Sequence, residues 1–370
     1  MDSGPVLLAR RAPAAESGDL VRLRRRYRRL LSLMVFLTFD LIIFGAFVRL
    51  VDAGLGCPDW PGCYGHVTPH GAMDSIRAEV LALPDGPVTV FKAWVEMLHR
   101  YIASALGLMV MALLWLTWRW RRLARRSVTP QLSVRYADGG HAPSLWLAVF
   151  TLAWIILQGL FGMWTVTLRL MPVVVTAHLM GALVLFMALM AQNNRVQPQP
   201  VVAAEAARLA AWARLMLLLL VVQLVLGGWV SSNYAALACE DFPSCQGSLW
   251  PTMDMASGFE LWRPLGMRAD GTPLDFTALT AIHYVHRLMA YVVFLVGGGM
   301  AWRIRRVPGL ARLARLLGVA LLAQLLSGLA NVFLGWPLLA ALAHTAGGAL
   351  LVALVFMIDF RTHHAGHGTG

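Results

Sequence analysis

The sequence predicts an all-α polytopic membrane protein, with eight transmembrane helices forming two parallel four-helix repeats related by a pseudo-twofold axis along the membrane normal. Three observations predict it. The 370 residues are 58% hydrophobic and 14% charged, and the apolar ones gather in runs of about 20, enough at about 1.5 Å per residue to cross a hydrocarbon core of about 30 Å. The arginines stand in patches beside alternate helix ends. Three blocks of sequence recur, in the same order, in the two halves.

The spans read near 30–50, 94–117, 145–167, 172–192, 210–230, 277–301, 312–333 and 337–358. Arg22, Arg24, Arg25, Arg26, Arg28 and Arg29 precede the first, and five more lie between Arg119 and Arg126. Arg195, Arg208 and Arg214 flank the junction of the fourth and fifth, and Arg303, Arg305, Arg306, Arg312 and Arg315 follow the sixth. All these patches fall on one side, which the positive-inside rule makes cytoplasmic, so both termini are expected inside and loops 52–92 and 231–276 outside. The net charge of +12 is therefore topological. It is not a nucleic-acid footprint, since the arginines are neither spread over a face nor interleaved with stacking aromatics. No small-residue cleavage pattern follows the first run, and Asp2, Glu16 and Asp19 argue against an organellar transit peptide. The expected location is a bacterial inner membrane.

A shift of 182 residues lays Gly45, Val48, Cys57, Asp59, Pro61 and Cys63 on Gly227, Val230, Cys239, Asp241, Pro243 and Cys245. A shift of 187 lays His99-Arg100 on His286-Arg287, and one of 166 lays Gln158, Gly162, His178 and Gly181 on Gln324, Gly328, His344 and Gly347. Four spans return the chain to its starting side, so the repeats run parallel, unlike the inverted repeats of many transporters. The expected organisation is a basic tail over 1–29, a first repeat over 30–195, and a linker over 196–209 that includes Gln197 to Pro200. A second repeat covers 210–358, and a tail 359–370. Asp138, Gly139 and Gly140 mark an inside loop; Arg169 to Pro172 and Leu334 to Pro337 mark tight outside turns.

Ionisable residues inside a membrane are costly and mark function by default. His99, His178, His286 and His344 lie at matched depth, about six or seven residues from the outer ends of the even-numbered spans. Two histidines on two helices at one level can ligate one haem iron from both faces, giving one haem per repeat. The competing reading is that each is a core histidine bonded between helices. Zinc or copper would call for a third or fourth ligand, and few acids or cysteines lie at that depth. Glycines such as Gly107, Gly181, Gly347 and Gly348 suit a flat macrocycle packed close to backbone. Both sites sit at the same depth, so the haems would not conduct electrons across the bilayer.

Chemistry needs asymmetry, and the repeats disagree where Glu96 faces His283. Glu96 stands one turn outward of His99, beside the rim of any haem held there, where a carboxylate can exchange a proton or stabilise positive charge. The competing reading is an acid favouring the helix N-terminus. Arg100 and Arg287 would pair with haem propionates or cap the outer loops. Asp40, Gln158, Gln223, Gln324 and Asn331 read as interhelical hydrogen bonders. Cys57 with Cys63 and Cys239 with Cys245, one pair per outside loop, read as disulfides shaping a lid over each site, or, for the first pair, as a redox couple. His66, His70 and His141 read as loop residues, and His363, His364 and His367 as a solvated tail.

These residues together resemble the haem A synthase family, over about residues 30–358. Gly54-Leu-Gly-Cys-Pro-Asp-Trp-Pro-Gly-Cys-Tyr-Gly65 is similar to the family's first outside loop, and Glu96-Met-Leu-His-Arg100 to its second-helix motif. His178, His286-Arg287 and His344 fall where that family has its other ligands. The resemblance implies conversion of haem O to haem A, a ring methyl becoming a formyl group by two hydroxylations and loss of water. It implies that His99 and His178 hold the substrate haem O, that His286 and His344 hold a haem b cofactor, and that Glu96 is the catalytic carboxylate. It also implies an upstream haem O synthase (protohaem farnesyltransferase) and an electron-transfer partner, and it is compatible with homo-oligomers. Two other classes stay open: a di-haem electron carrier, and a haem-handling chaperone or transporter.

Overall fold

The computed structural model describes residues 18–125, 140–198 and 202–365. Among them are ten α-helices and no strand: α1 (Gly18–Leu50), α2 (Met73–Ala82), α3 (Val90–Arg125), α4 (Leu145–Thr167), α5 (Pro172–Val196), α6 (Ala210–Ser232), α7 (Met255–Gly258), α8 (Phe276–Ile304), α9 (Ala311–Phe333) and α10 (Leu338–Ala365). All but α2 and α7 are long and apolar enough to cross a membrane. The chain is a multi-pass membrane protein.

The helices overrun the expected spans. α1 begins at Gly18 and α3 runs on to Arg125, because arginine is a good helix former and its long stem carries the charge into water beyond the hydrocarbon. The basic segment 18–29 is thus helical. α3 also starts earlier than expected, so His99 stands deeper than six or seven residues from its outer end. A 3-10 turn, Ala204–Leu209, leads into α6 within the expected linker, and α2 and α7 lie in the loops expected outside. Residues 1–17, Arg126, Asp138, Gly139, Gln199, Pro200 and His367 lie outside the described residues.

Each half packs as a ring. α1 touches α3 and α5 while α4 touches both of those; in the same way α6 touches α8 and α10, and α9 touches both. The halves meet through α1 with α10, α5 with α6, and α5 with α10. α5 and α10 are the most buried spans, because each packs against two helices of the other half. Each ring has its own core, built on Leu31, Leu113 and Leu189 in the first and Met216, Leu317 and Val355 in the second. A smaller cluster of Ile42, Phe186 and Ala353 joins them. Outward faces carry bare apolar side chains such as Leu295 (77% exposed) and Leu339 (80%), as lipid requires and water would not tolerate in such numbers.

Turns follow local chemistry. Pro172 opens α5, where its missing N–H costs nothing, and the Ser144 side chain caps α4 by accepting from the Leu147 N–H. Both disulfides form, Cys57–Cys63 and Cys239–Cys245, with Cα separations of 4.9 and 4.8 Å. Within each six-residue separation an aspartate organises the turn. Asp59 accepts from the N–H groups of Tyr64 (2.6 Å) and Gly65 (2.8 Å), and Asp241 from those of Gln246 (2.7 Å) and Gly247 (3.0 Å). Gly65 and Gly247 take φ of 75° and 73°, a left-handed conformation that glycine adopts without strain.

Candidate functional site

One cavity of about 1280 Å³ is lined by all four repeat-matched histidines, and it exceeds the roughly 300–1,000 Å³ of a drug-sized site. His99 and His178 face it from α3 and α5, His286 and His344 from α8 and α10. A glycine on a neighbouring helix backs each ring: a Cβ at Gly45 would lie 3.2 Å from His99, at Gly162 3.6 Å from His178, at Gly227 3.1 Å from His286 and at Gly328 3.2 Å from His344. These glycines leave room for the rings. Gly181 and Gly347, expected against a macrocycle, instead lie under the Gln158 and Gln324 amides, and Gly348 faces Leu224; only Gly107 of that set opens on free space. Gly181 and Gly347 stand only three residues after His178 and His344 and meet Gln158 of α4 and Gln324 of α9, whereas Gly107 stands eight residues after His99.

In the second half the ring centroids of His286 and His344 are 6.5 Å apart. Two imidazoles on opposite sides of one metal, with each nitrogen about 2.0–2.1 Å from it, would put the ring centroids about 6 Å apart, a spacing this pair matches. Two side chains of α9 contact the His344 ring. Ser327 Oγ lies 3.1 Å from Nδ1, with its hydroxyl also within reach of the Gln324 carbonyl at 3.1 Å, and Gln324 Nε2 lies 3.4 Å from Nε2. The Gln324 amide donates to the His344 carbonyl (3.0 Å), and Gln223 Nε2 lies 3.2 Å from His286 Nδ1. In the first half His99 and His178 both line the cavity; His99 bonds to the Leu41 backbone, and His178 Nδ1 is buried without a partner. Phe161 occupies the position corresponding to Ser327 and Leu41 that corresponding to Gln223. Among the described residues no three His, Cys, Asp or Glu side chains cluster as a metal site, so each pair stands without a third protein donor.

Glu96 is 4% exposed and lines the cavity, but it is not free. Its carboxylate pairs with Arg100 and accepts the Cys57 N–H at 2.9 Å. An acid at that depth needs such partners, and the Arg100 pairing follows from the i, i+4 spacing on α3. His283 repeats the arrangement, accepting from Arg287 Nε at 3.1 Å. The two arginines clamp the disulfide loops: Arg100 donates to the carbonyls of Asp59 (2.9 Å) and Gly62 (2.6 Å), and Arg287 to those of Asp241 (2.6 Å), Ser244 (3.0 Å) and Cys239 (2.6 Å). Of the two roles expected for them, loop capping is the one these contacts fill.

The expected interhelical bonders divide. Gln223 and Gln324 bond to the second histidine pair, Gln158 and Asn331 Oδ1 have no partner, and Asp40 is exposed on α1. His66, His70 and His141 lie in loops, and His66 lines the cavity. Sequence reasoning missed Arg49, which lines the cavity at the loop end of α1. It donates to the Ser231 carbonyl (2.9 Å) and Asp52 (3.2 Å), while its guanidinium stacks 3.8 Å over Tyr234. Arg49 lies inside the duplicated block, aligned with Ser231, and that charged-for-neutral mismatch was the available clue. Outside the membrane, the Ser244 hydroxyl and then the N–H groups of Gly247 and Gln246 hold the Asp241 carboxyl down at about 2.

Residues 28–356 match the COX15-CtaA family model, described as cytochrome oxidase assembly protein. The chain belongs to that family. Among its relatives, a protein of Shewanella oneidensis named heme A synthase is 37% identical over 343 residues, covering 92% of this chain and 98% of its own. Proteins of the same name from Allorhizobium ampelinum and Methylobacterium radiotolerans are 27% and 29% identical, covering 92% and 85% of this chain.

Proposed function

We propose that this chain is a haem A synthase, an oxidoreductase that acts on a methyl group: it oxidises the C8 methyl of haem O to formyl, supplying haem A for terminal oxidases. The observation that carries this reading is a cavity with two histidine pairs and a carboxylate, Glu96, beside only one of them. The reading takes the halves as parallel copies about an axis along the membrane normal, in a bacterial inner membrane with both termini cytoplasmic.

His99 and His178 would hold the substrate haem O through its iron, and His286 and His344 would hold haem b. Haem b would supply one-electron redox chemistry when bound. The propionates of the substrate lie at the loop end of the cavity, where Arg49 and Arg100 carry positive charge. That orientation brings the C8 methyl, which neighbours a propionate on the ring, toward Glu96. Each hydroxylation, first to CH₂OH and then to CH(OH)₂, takes one oxygen atom from water and releases two electrons, which leave to the electron-transfer partner, and two protons; loss of water from the second product leaves CHO. Glu96, bridged to Arg100, takes and returns the protons at its Oε atoms and favours positive charge at the reacting carbon. The disulfide loops close the site against bulk water. A haem O synthase supplies the substrate and an electron-transfer partner removes electrons.

Co-expression with a haem O synthase in a host lacking haem A, followed by haem extraction and chromatography, tests this. Haem A is expected. Haem O and haem b alone would sink the reading in favour of an electron carrier or a haem chaperone.

A further inference from the structure

The two seats share their histidines but not the space beyond them. On α3, Gly107 lines the cavity and a Cβ added there meets nothing within 4 Å; its counterpart 187 residues on is Phe294, packed against the second core. On α4, Gly159 is likewise open, and its counterpart 166 residues on is Leu325. Past these glycines the cavity of the first half continues along Leu108, Met111, Leu152 and Ile156, whereas the matching Leu295, Gly298, Gly318 and Leu322 do not line it. Gly107 and Met111 follow His99 by eight and twelve residues, so this apolar groove reaches about 12–18 Å beyond the level of the iron ligands. It leads away from the end that holds Arg49 and Arg100.

A second observation lies at the mouth of the groove. Gln158 lines the cavity, is 7% exposed, and neither its Nε2 nor its Oε1 has a hydrogen-bond partner. Its repeat mate Gln324 donates to the His344 carbonyl. A buried amide left unmade is costly, and it calls for a ligand group that both donates and accepts.

We propose that Gly107, Gly159 and Gln158 form the specificity determinant of the first seat, a groove for a long isoprenoid arm with a hydroxyl group at its root. This rests on the reading of the first seat as the substrate seat. Haem O carries a hydroxyethylfarnesyl arm on the ring edge opposite the propionates; haem b has only a vinyl group there. With propionates at the arginine end, the arm enters the groove beside Gly107 and Gly159, and its hydroxyl meets the Gln158 amide. Phe294 and Leu325 fill the same space in the second seat, which therefore accepts the ring without the arm.

The test purifies the full chain from membranes that also contain haem O synthase, then extracts and quantifies the haems bound to it. Gly107→Phe is expected to lower bound farnesylated haem at least tenfold while the second-seat haem b absorbance stays at the wild-type level, which also reports folding. Gln158→Leu is expected to lower the ratio of farnesylated to unfarnesylated haem in the first seat about tenfold. In the reverse direction, Phe294→Gly is expected to admit farnesylated haem to the second seat. Wild-type farnesylated haem in Gly107→Phe would overturn the proposal. If that variant loses both haems through misfolding, unchanged haem composition in both Gln158→Leu and Phe294→Gly would overturn it instead. Failure of the functional reading is a different result, because there the wild-type chain itself binds no farnesylated haem and forms no formyl product.

Discussion

The first and second four-helix halves place their histidines alike and support them differently. In the second, Ser327 contacts His344, the Gln223 side chain abuts His286 and Phe294 borders the space beyond. In the first, His99 bonds to the Leu41 backbone, His178 Nδ1 has no partner, Leu41 and Phe161 carry no polar side chain, and glycines leave the cavity open. A seat whose ligands are held before the haem arrives suits a resident cofactor; a seat with loosely supported ligands and spare volume suits a molecule that enters and leaves. The carboxylate sits only at the second kind of seat. On the proposed reading, differences at a handful of side chains divide the labour between two similar halves.

The largest expected effect breaks the comparison at Glu96. Glu96→Gln keeps an acceptor for the Cys57 N–H and removes the charge and the proton exchange, so formyl product is expected to fall by about 10²–10⁴-fold with both haems still bound. Chromatography of extracted haem alongside the absorbance spectrum checks it, and product at the wild-type rate would remove Glu96 from the chemistry. Next comes the support of the resident haem. Ser327→Ala is expected to weaken second-seat binding about 10–100-fold and to shift its reduction potential, with Ser327→Thr restoring both. A potential unmoved in Ser327→Ala would show that the hydroxyl does not orient His344.

The disulfide loops give a smaller effect and sharpen the comparison. Replacing either cysteine pair by serines is expected to cost about 2 kcal/mol of stability, from the loop-closure entropy of so short a ring, measured as a lowered thermal midpoint. Equal losses with product formation intact mark both bridges as structural. Loss of product only in the Cys57/Cys63 variant, at unchanged haem content, would instead mark the first as a redox couple. The smallest effect concerns acid. Hydrogen bonds to its charged form hold Asp241 at about 2, so its contribution to the second loop is complete above the ordinary carboxylate range near 4 and is lost as pH falls toward 2. Loop proteolysis that rises only in that window checks the sign; Asp241→Asn should abolish the dependence.

Much of this was legible in the sequence because membrane thickness and repetition impose fixed spacings. The eight spans, the cysteine pairing and the meeting of His286 with His344 all follow from runs and shifts that survive any choice of rotamer. Other features depend on which face of a helix meets which neighbour. For Arg100 and Arg287 the sequence leaves propionate pairing and loop capping open until their loop carbonyls appear, and Ser327 reads as an ordinary helix residue until its hydroxyl is seen beside His344. Gly107 against Phe294 was visible in the alignment, but it carries meaning only once both are known to line a cavity. The ends of α1 and α3 were misjudged because arginine-rich sequence looks like solvated tail, yet it continues a helix readily.

The division of labour between the seats is tested most directly by paired histidine variants in the presence of haem O synthase. His99→Ala with His178→Ala is expected to remove farnesylated haem and leave bound haem b; His286→Ala with His344→Ala is expected to remove haem b and leave farnesylated haem. If both pigments fall together in each variant, or if the assignments reverse, the account of one resident and one substrate seat is contradicted.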